Sequence, residues 1–166
     1  THFDAPNDVL IAPNGTIYVG DTHGAQFQNE AGPTATSRIS MFEPDGTFIK
    51  SFGEFGFEDG QFRSPHSLAM DSQGRLFVAD RGNSRIQIFT QDGEHLDTWY
   101  QFSRISGLFI DPNTDMLYAI DSESDENYNS KKGITKTTKK VLTDLKNNPY
   151  TPYIMVEAIG WIFGIN

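Results

Sequence analysis

The chain has 166 residues, no cysteine, 37% hydrophobic and 13% aromatic residues, and a net charge of −9. That composition suits one domain with a sizeable core and excludes both a disulfide framework and a thiolate metal site. The charge is uneven: residues 1–130 hold 7 Lys and Arg against 20 Asp and Glu, a net of −13, while residues 131–166 hold 6 against 2, a net of +4. An acidic body has the wrong sign for a phosphate backbone, so no nucleic-acid partner is expected. No apolar run approaches the roughly 18 residues of a membrane span, so none is expected either. Thr1 to Pro6 does not read as a signal peptide. A processed start would look the same, so a soluble protein is expected, with secretion or a periplasmic location left open.

Residues 3–52 read as four short strands: Asp8 to Ala12, Thr16 to Gly20, Arg38 to Phe42 and Phe48 to Phe52. Asn14-Gly15 and Asp45-Gly46 supply hairpin turns between them. Between the second and third strands lies His23 to Ser37, a Gly-, Ala- and Thr-rich stretch without periodicity. It is expected as a loop at one mouth of the fold, where function tends to be carried. Gly53 to Phe62 is a connection whose three phenylalanines are expected to pack between sheets rather than stand in solvent.

Residues 62–102 repeat the first unit more cleanly, with strands at Ser67 to Met70, Leu76 to Ala79 and Ile86 to Phe89, and His95 to Tyr100 outermost. Val9, Gly15 and Asp21 match Leu68, Gly74 and Asp80 at an offset of 59, whereas Ser37 to Phe42 match Ser84 to Phe89 at an offset of 47. The 12 extra residues of the first unit therefore fall between Asp21 and Ser37. A third unit over 103–146 is clear through Asp121 and then fades into the acidic Asp121 to Ser130 and a Lys- and Thr-rich stretch with weak strands at Lys132 to Thr135 and Lys139 to Leu145. Residues 151–166 can be laid on the first two strands of a fourth unit.

A period near 40 with four short strands per unit signals an all-β propeller, here about three and a half blades. Open sheet faces and edges favour association. A longer chain, a ring shared between copies, and a cap made by the last half-unit are three ways to close them.

The pattern Pro-x-x-Val/Leu, Gly-x-Ile/Leu-Tyr/Phe-Val-x-Asp, Asn-Ser-Arg-Ile-x-x-Phe, Asp-Gly over about residues 3–121 resembles the NHL repeat. Within that group, Asp59 to Met70 with Val78 to Arg81 and Arg85 to Phe89 is similar to the peptidyl-hydroxyglycine amidating lyases and their bacterial relatives. The resemblance implies a six-bladed ring with zinc in its channel, held by His residues of Pro-His pairs heading the inner strands. It implies His66 as a metal ligand, Arg81 as an active-site residue, and His23 in the place of the family's catalytic Tyr. The other strand heads, Pro6-Asn7, Ile105-Ser106 and Thr151-Pro152, depart from that pattern.

Arg38 and Arg85 occupy equivalent places, and their repetition points to structural pairing with the equally repeated Asp21 and Asp80. Arg81 is not repeated, since Thr22 and Ser122 hold its place. A non-repeated charge on a repeated scaffold suggests function at Arg81, and the expected ligand-binding set at the mouth is Arg81 with its neighbour Asp80 and with His23. The acidic run from Asp121 lacks the spaced carboxylates of an EF-hand and reads as a solvated loop rather than a calcium site. Two functions follow: a module binding a peptide or small ligand at the loop mouth, or a zinc-dependent lyase using His66 and Arg81. A sugar-lactone hydrolase has no matching motif here.

Overall fold

In a computed structural model, residues 3–22, 36–100, 102, 104–121 and 153–157 are described. They form eleven strands: β1 (Pro6–Ile11), β2 (Ile17–Asp21), β3 (Arg38–Phe42), β4 (Phe48–Phe52), β5 (Pro65–Met70), β6 (Leu76–Asp80), β7 (Arg85–Phe89), β8 (His95–Trp99), β9 (Ile105–Ile110), β10 (Leu117–Asp121) and β11 (Tyr153–Glu157). The first eight make two antiparallel four-stranded meanders, β1-β2-β3-β4 and β5-β6-β7-β8, and the third sheet has the order β11-β10-β9. These are the blades of a β-propeller. Turn chemistry sets each hairpin. Gly74, for example, sits at φ +76° and donates its N–H to the Asp71 carbonyl at 3.0 Å, closing the β5-β6 turn.

The repeat offsets translate directly into register. Leu10 pairs with Tyr18, Ala69 with Phe77 and Phe109 with Tyr118, so the same two positions face each other in all three sheets. Because side chains alternate across a strand, this register also fixes which face each residue shows. The back face of the first sheet (Leu10, Tyr18, Ile39, Met41) packs on the front face of the second (Leu68, Leu76, Val78, Phe89). The back face of the second (Ala69, Phe77, Ala79, Ile86, Ile88, Trp99) packs in turn on Leu108, Ile110, Leu117 and Ala119 of the third. The core is thus two layers between three sheets, with the innermost strands β1, β5 and β9 beside one another.

Matching polar contacts pin both junctions. The Leu68 N–H donates to Asp8 Oδ2 at 2.8 Å, and the equivalent Leu108 N–H donates to Ser67 Oγ at 3.0 Å. At the turn end, the Tyr18 hydroxyl donates to the Gln91 carbonyl at 2.9 Å, and Ser72 donates through its N–H and hydroxyl to Asp115. Those bonds hold the Asp115 carboxyl below its ordinary range, and burial followed by the Asp92 charge raises the Tyr18 phenol.

Three expectations need correction or placement. Residues 153–157 do not begin a fourth sheet but pair with β10, and in parallel. The 31 residues between Asp121 and Tyr153 exceed the dozen or so that a parallel return requires, and an apolar Tyr-Ile-Met-Val run closes the polar edge that β10 would otherwise present. In the 53–62 connection Phe62 is buried and Phe55 partly so, but Phe57 is exposed, its ring standing edge-on to Phe55 and 5.8 Å from the Arg63 guanidinium. The weak strands expected at 132–135 and 139–145 lie outside the described residues.

The Arg and Asp pairs are present and unequal. Asp21 accepts from the Asp4 and Ala5 N–H groups and from Arg38, which is partly exposed. Asp80 accepts from the Arg63 and Ser64 N–H groups and from Asn83, Arg85 and Gln87, all beneath the surface. Arg85 is itself fully buried and also donates to the carbonyls of Phe57, Glu58 and Gln61. Removing one member of such a pair strands the other in low dielectric. Asp80→Ala is therefore expected to cost about 3–5 kcal/mol, and Asp21→Ala about 1–3 kcal/mol because water reaches Arg38. Urea midpoints of the two variants check the ranking, and equal losses would contradict it.

Candidate functional site

The ends at which β1, β5 and β9 begin gather on one side of the blades, here called the head end. The residues heading these strands occupy one repeat position: Asn7, His66 and Ser106. Gly20 brings the first two blades close at that level, because a Cβ there would lie 2.7 Å from Asn7 Oδ1 and 2.9 Å from the Pro65 carbonyl. Asn7 donates its amide to the Thr22 carbonyl at 3.1 Å.

His66 bridges the second junction, its Nδ1 standing 3.0 Å from the Ser106 carbonyl. A carbonyl only accepts, so Nδ1 carries a proton, and in the neutral form of the ring the lone pair then lies on Nε2. Backbone anchoring of one ring nitrogen is the arrangement that orients the other for metal or ligand binding. His66 is half-buried, between the core and the surface.

Arg81 opens a 3₁₀ turn (Arg81–Asn83) directly after β6. The turn is held by its N–H, which donates to the Ser64 carbonyl at 2.9 Å, by Asn83 donating to Asp80 and to the Gly56 carbonyl, and by the Arg63 guanidinium on the Gly82 carbonyl at 3.3 Å. Asp80 and Arg81 are both buried. Asp80, expected as a ligand-binding residue, accepts from the strand-end network, which ties together the segments carrying His66 and Arg81.

The fold thus puts His66, Arg81 and Asp80 at one end, within segments that hydrogen-bond to each other. His23 lies outside the described residues, as do residues 24–35 and the acidic stretch 122–130. Two residues of this end escaped the sequence reading. Arg104 is buried beside the head of β9, and Arg63 braces the turn that Arg81 opens. Arginine outside a repeat ordinarily reads as solvated surface, and only the repeat position of Arg104, equivalent to the buried Ser64, marked it as inward.

Among the described residues no three His, Cys, Asp or Glu side chains gather where a metal ion could sit. His66 supplies one ligand atom, whereas a catalytic zinc site needs three from the protein. The described residues alone do not build that centre.

The NHL repeat family profile matches residues 62–89. NHL repeat-containing protein 3 of Homo sapiens is 37% identical over 98 residues, covering 58% of this chain and 26% of that protein. Peptidyl-glycine alpha-amidating monooxygenase B of Xenopus laevis is 44% identical over 94 residues, covering 53% of this chain and 10% of that protein. The chain therefore spans about a quarter or less of the length of these relatives. Among solved structures, "Structure of U3-55K" superposes with a TM-score of 0.56 at 19% identity over 72% of this chain and 34% of that one, a likeness of fold alone.

Gly20→Ala is expected to push its added Cβ into both the Asn7 side chain and the Pro65 carbonyl and to destabilise the fold by about 1–3 kcal/mol. Thermal unfolding of the variant measures this, and an unchanged midpoint would show that the blades do not approach each other so closely. The profile match over residues 62–89 and the stacked four-stranded sheets show an NHL repeat within a β-propeller fold.

Proposed function

We propose that the head end is a binding site for a peptide or small ligand, with Arg81 supplying charge and His66 a hydrogen-bonding or ligating nitrogen. The observation that carries this reading is the contrast between repeated and non-repeated side chains on one scaffold. Asp21 and Asp80 repeat and do the same structural work, whereas the next position holds Thr22 in one blade and Arg81 in another. The strand heads likewise differ, as Asn7, His66 and Ser106. A scaffold that keeps its backbone while varying these positions places distinct chemistry at equivalent points of one rim. An acidic chain with arginines brought to this end suits a ligand bearing a carboxylate, which a guanidinium engages through charge-assisted hydrogen bonds.

A second reading is zinc-dependent cleavage of a peptidyl-hydroxyglycine. It is favoured by the 44% identity to the amidating monooxygenase and by the Nδ1-anchored His66, and it requires ligands beyond the described residues. His23 is then the residue standing where the family has a catalytic Tyr.

Calorimetric titration with a peptide ending in α-hydroxyglycine, with and without zinc, tests both, because that terminus splits into an amide and glyoxylate without an oxidant. The binding reading expects metal-independent affinity that falls about tenfold or more in Arg81→Met, the loss of one charge-assisted contact. Affinity appearing only with stoichiometric zinc, lost in His66→Ala and accompanied by release of the amidated product, would replace it with the lyase reading. No binding under either condition would overturn both.

A further inference from the structure

Asn14-Gly15-Thr16 is the single Asn-x-Ser/Thr run in the sequence. That pattern is the one an N-linked oligosaccharide is transferred to, and its use requires a surface loop. Here it forms the turn between β1 and β2, at the end of the blades opposite the head end.

The turn holds the three residues in a defined pose. Gly15, at φ +91°, donates its N–H to the Ala12 carbonyl at 2.8 Å, and the Ala12 N–H donates to the Thr16 carbonyl at 2.9 Å. Asn14 Oδ1 accepts from the Thr16 N–H at 3.0 Å, so the acceptor amide and the Thr of the run are joined directly. Asn14 Nδ2 reaches Gln91 Oε1 of the second blade only at 3.4 Å, a long bond in solvent. Asn14 is exposed, and Gly15 and Thr16 are partly so.

This exposure belongs to the repeat position rather than to an open flank of the stack. Gln73 stands at the same place in the second sheet, 59 residues on, and that sheet has a neighbour packed on each face. Gln73 is exposed nonetheless. Asn113 holds the position in the third sheet and is exposed too, but Asp115 two residues on lacks the hydroxyl of the pattern.

We propose that Asn14 is the acceptor of an N-linked oligosaccharide. The donor is an oligosaccharide on a lipid pyrophosphate. The bond between its anomeric carbon and the phosphate oxygen breaks, a bond from that carbon to Asn14 Nδ2 forms, Nδ2 gives up one proton, and the lipid pyrophosphate leaves. The substituted amide keeps its oxygen and one N–H, so the contact to Thr16 survives and a donor remains for Gln91. The sugar then stands in solvent at the turn end and leaves the head end open.

Transfer takes place in an exporting compartment, so the test supplies one. The full chain is secreted from cultured animal cells behind a cleavable leader, and its mass is read before and after treatment with peptide N-glycosidase. Wild type is expected to carry an oligosaccharide increment that the enzyme removes. Asn14→Gln and Thr16→Ala are each expected to lose the increment entirely. Glutamine already occupies this position in the second blade, and far-UV circular dichroism verifies the fold of both variants. Thr16→Ala leaves Asn14-Gly15 intact, which separates glycosylation from deamidation of that pair. Translation of the same chains with microsomal membranes gives the reading without requiring secretion. Wild type with Asn14 unmodified in the exporting compartment, or an increment that survives Thr16→Ala, would overturn the inference.

Discussion

One carboxylate at the end of the second strand ties each well-formed blade together. Asp21 and Asp80 each accept from two backbone N–H groups of the segment leading into the innermost strand and from an arginine on the third strand. Three stretches distant in sequence are thereby held at one point, in an interior where an unpaired charge would be costly and a fully paired one specifies geometry. The hydrophobic layers between sheets supply most of the driving force, but they do not choose where the chain enters and leaves the head end. The carboxylate does.

The site depends on that anchor in a direct way. Ser64, hydrogen-bonded to Asp80, comes two residues before His66, and Arg81 follows Asp80 in the chain. Ser64 also accepts from the Arg81 N–H, so the approach to β5 and the exit from β6 are one hydrogen-bonded unit. Arg85 extends the unit into the 53–62 connection by holding the carbonyls of Phe57, Glu58 and Gln61. The blade keeps its geometry through residues that recur and varies its chemistry at the adjoining positions. A repeat scaffold separates stability from specificity in this manner.

Much of this was legible in the sequence. Turn residues and strand-length apolar runs marked the first eight strands, and the two offsets, 59 and 47, gave the register and the place of the insertion. The Asp and Arg pairs followed from their recurrence. What failed did so where local pattern is weak. The 153–157 segment carries a strand's composition, but composition does not name its partner, and the open edge of β10 took it in parallel. Phe57 resembles its neighbours Phe55 and Phe62 in type, yet it turns outward over Arg63, because burial is decided by the path of the connection. Which nitrogen of His66 carries its proton depends on the Ser106 carbonyl in the next blade, a contact that no reading of one blade reveals.

The proposed role of the head end rests on His66, whose Nδ1 stands 3.0 Å from the Ser106 carbonyl and whose Nε2 is proposed as the ligating or hydrogen-bonding atom. Long-range proton–nitrogen correlation spectra of uniformly ¹⁵N-labelled protein, held above the imidazole titration near neutral pH, read the tautomer of each histidine. The account predicts that His66 is in the Nδ1–H form, with its Nε2 resonance at the unprotonated shift and moving when zinc or peptide is added. A His66 ring protonated on Nε2, or one exchanging between tautomers as a free imidazole does, would contradict it.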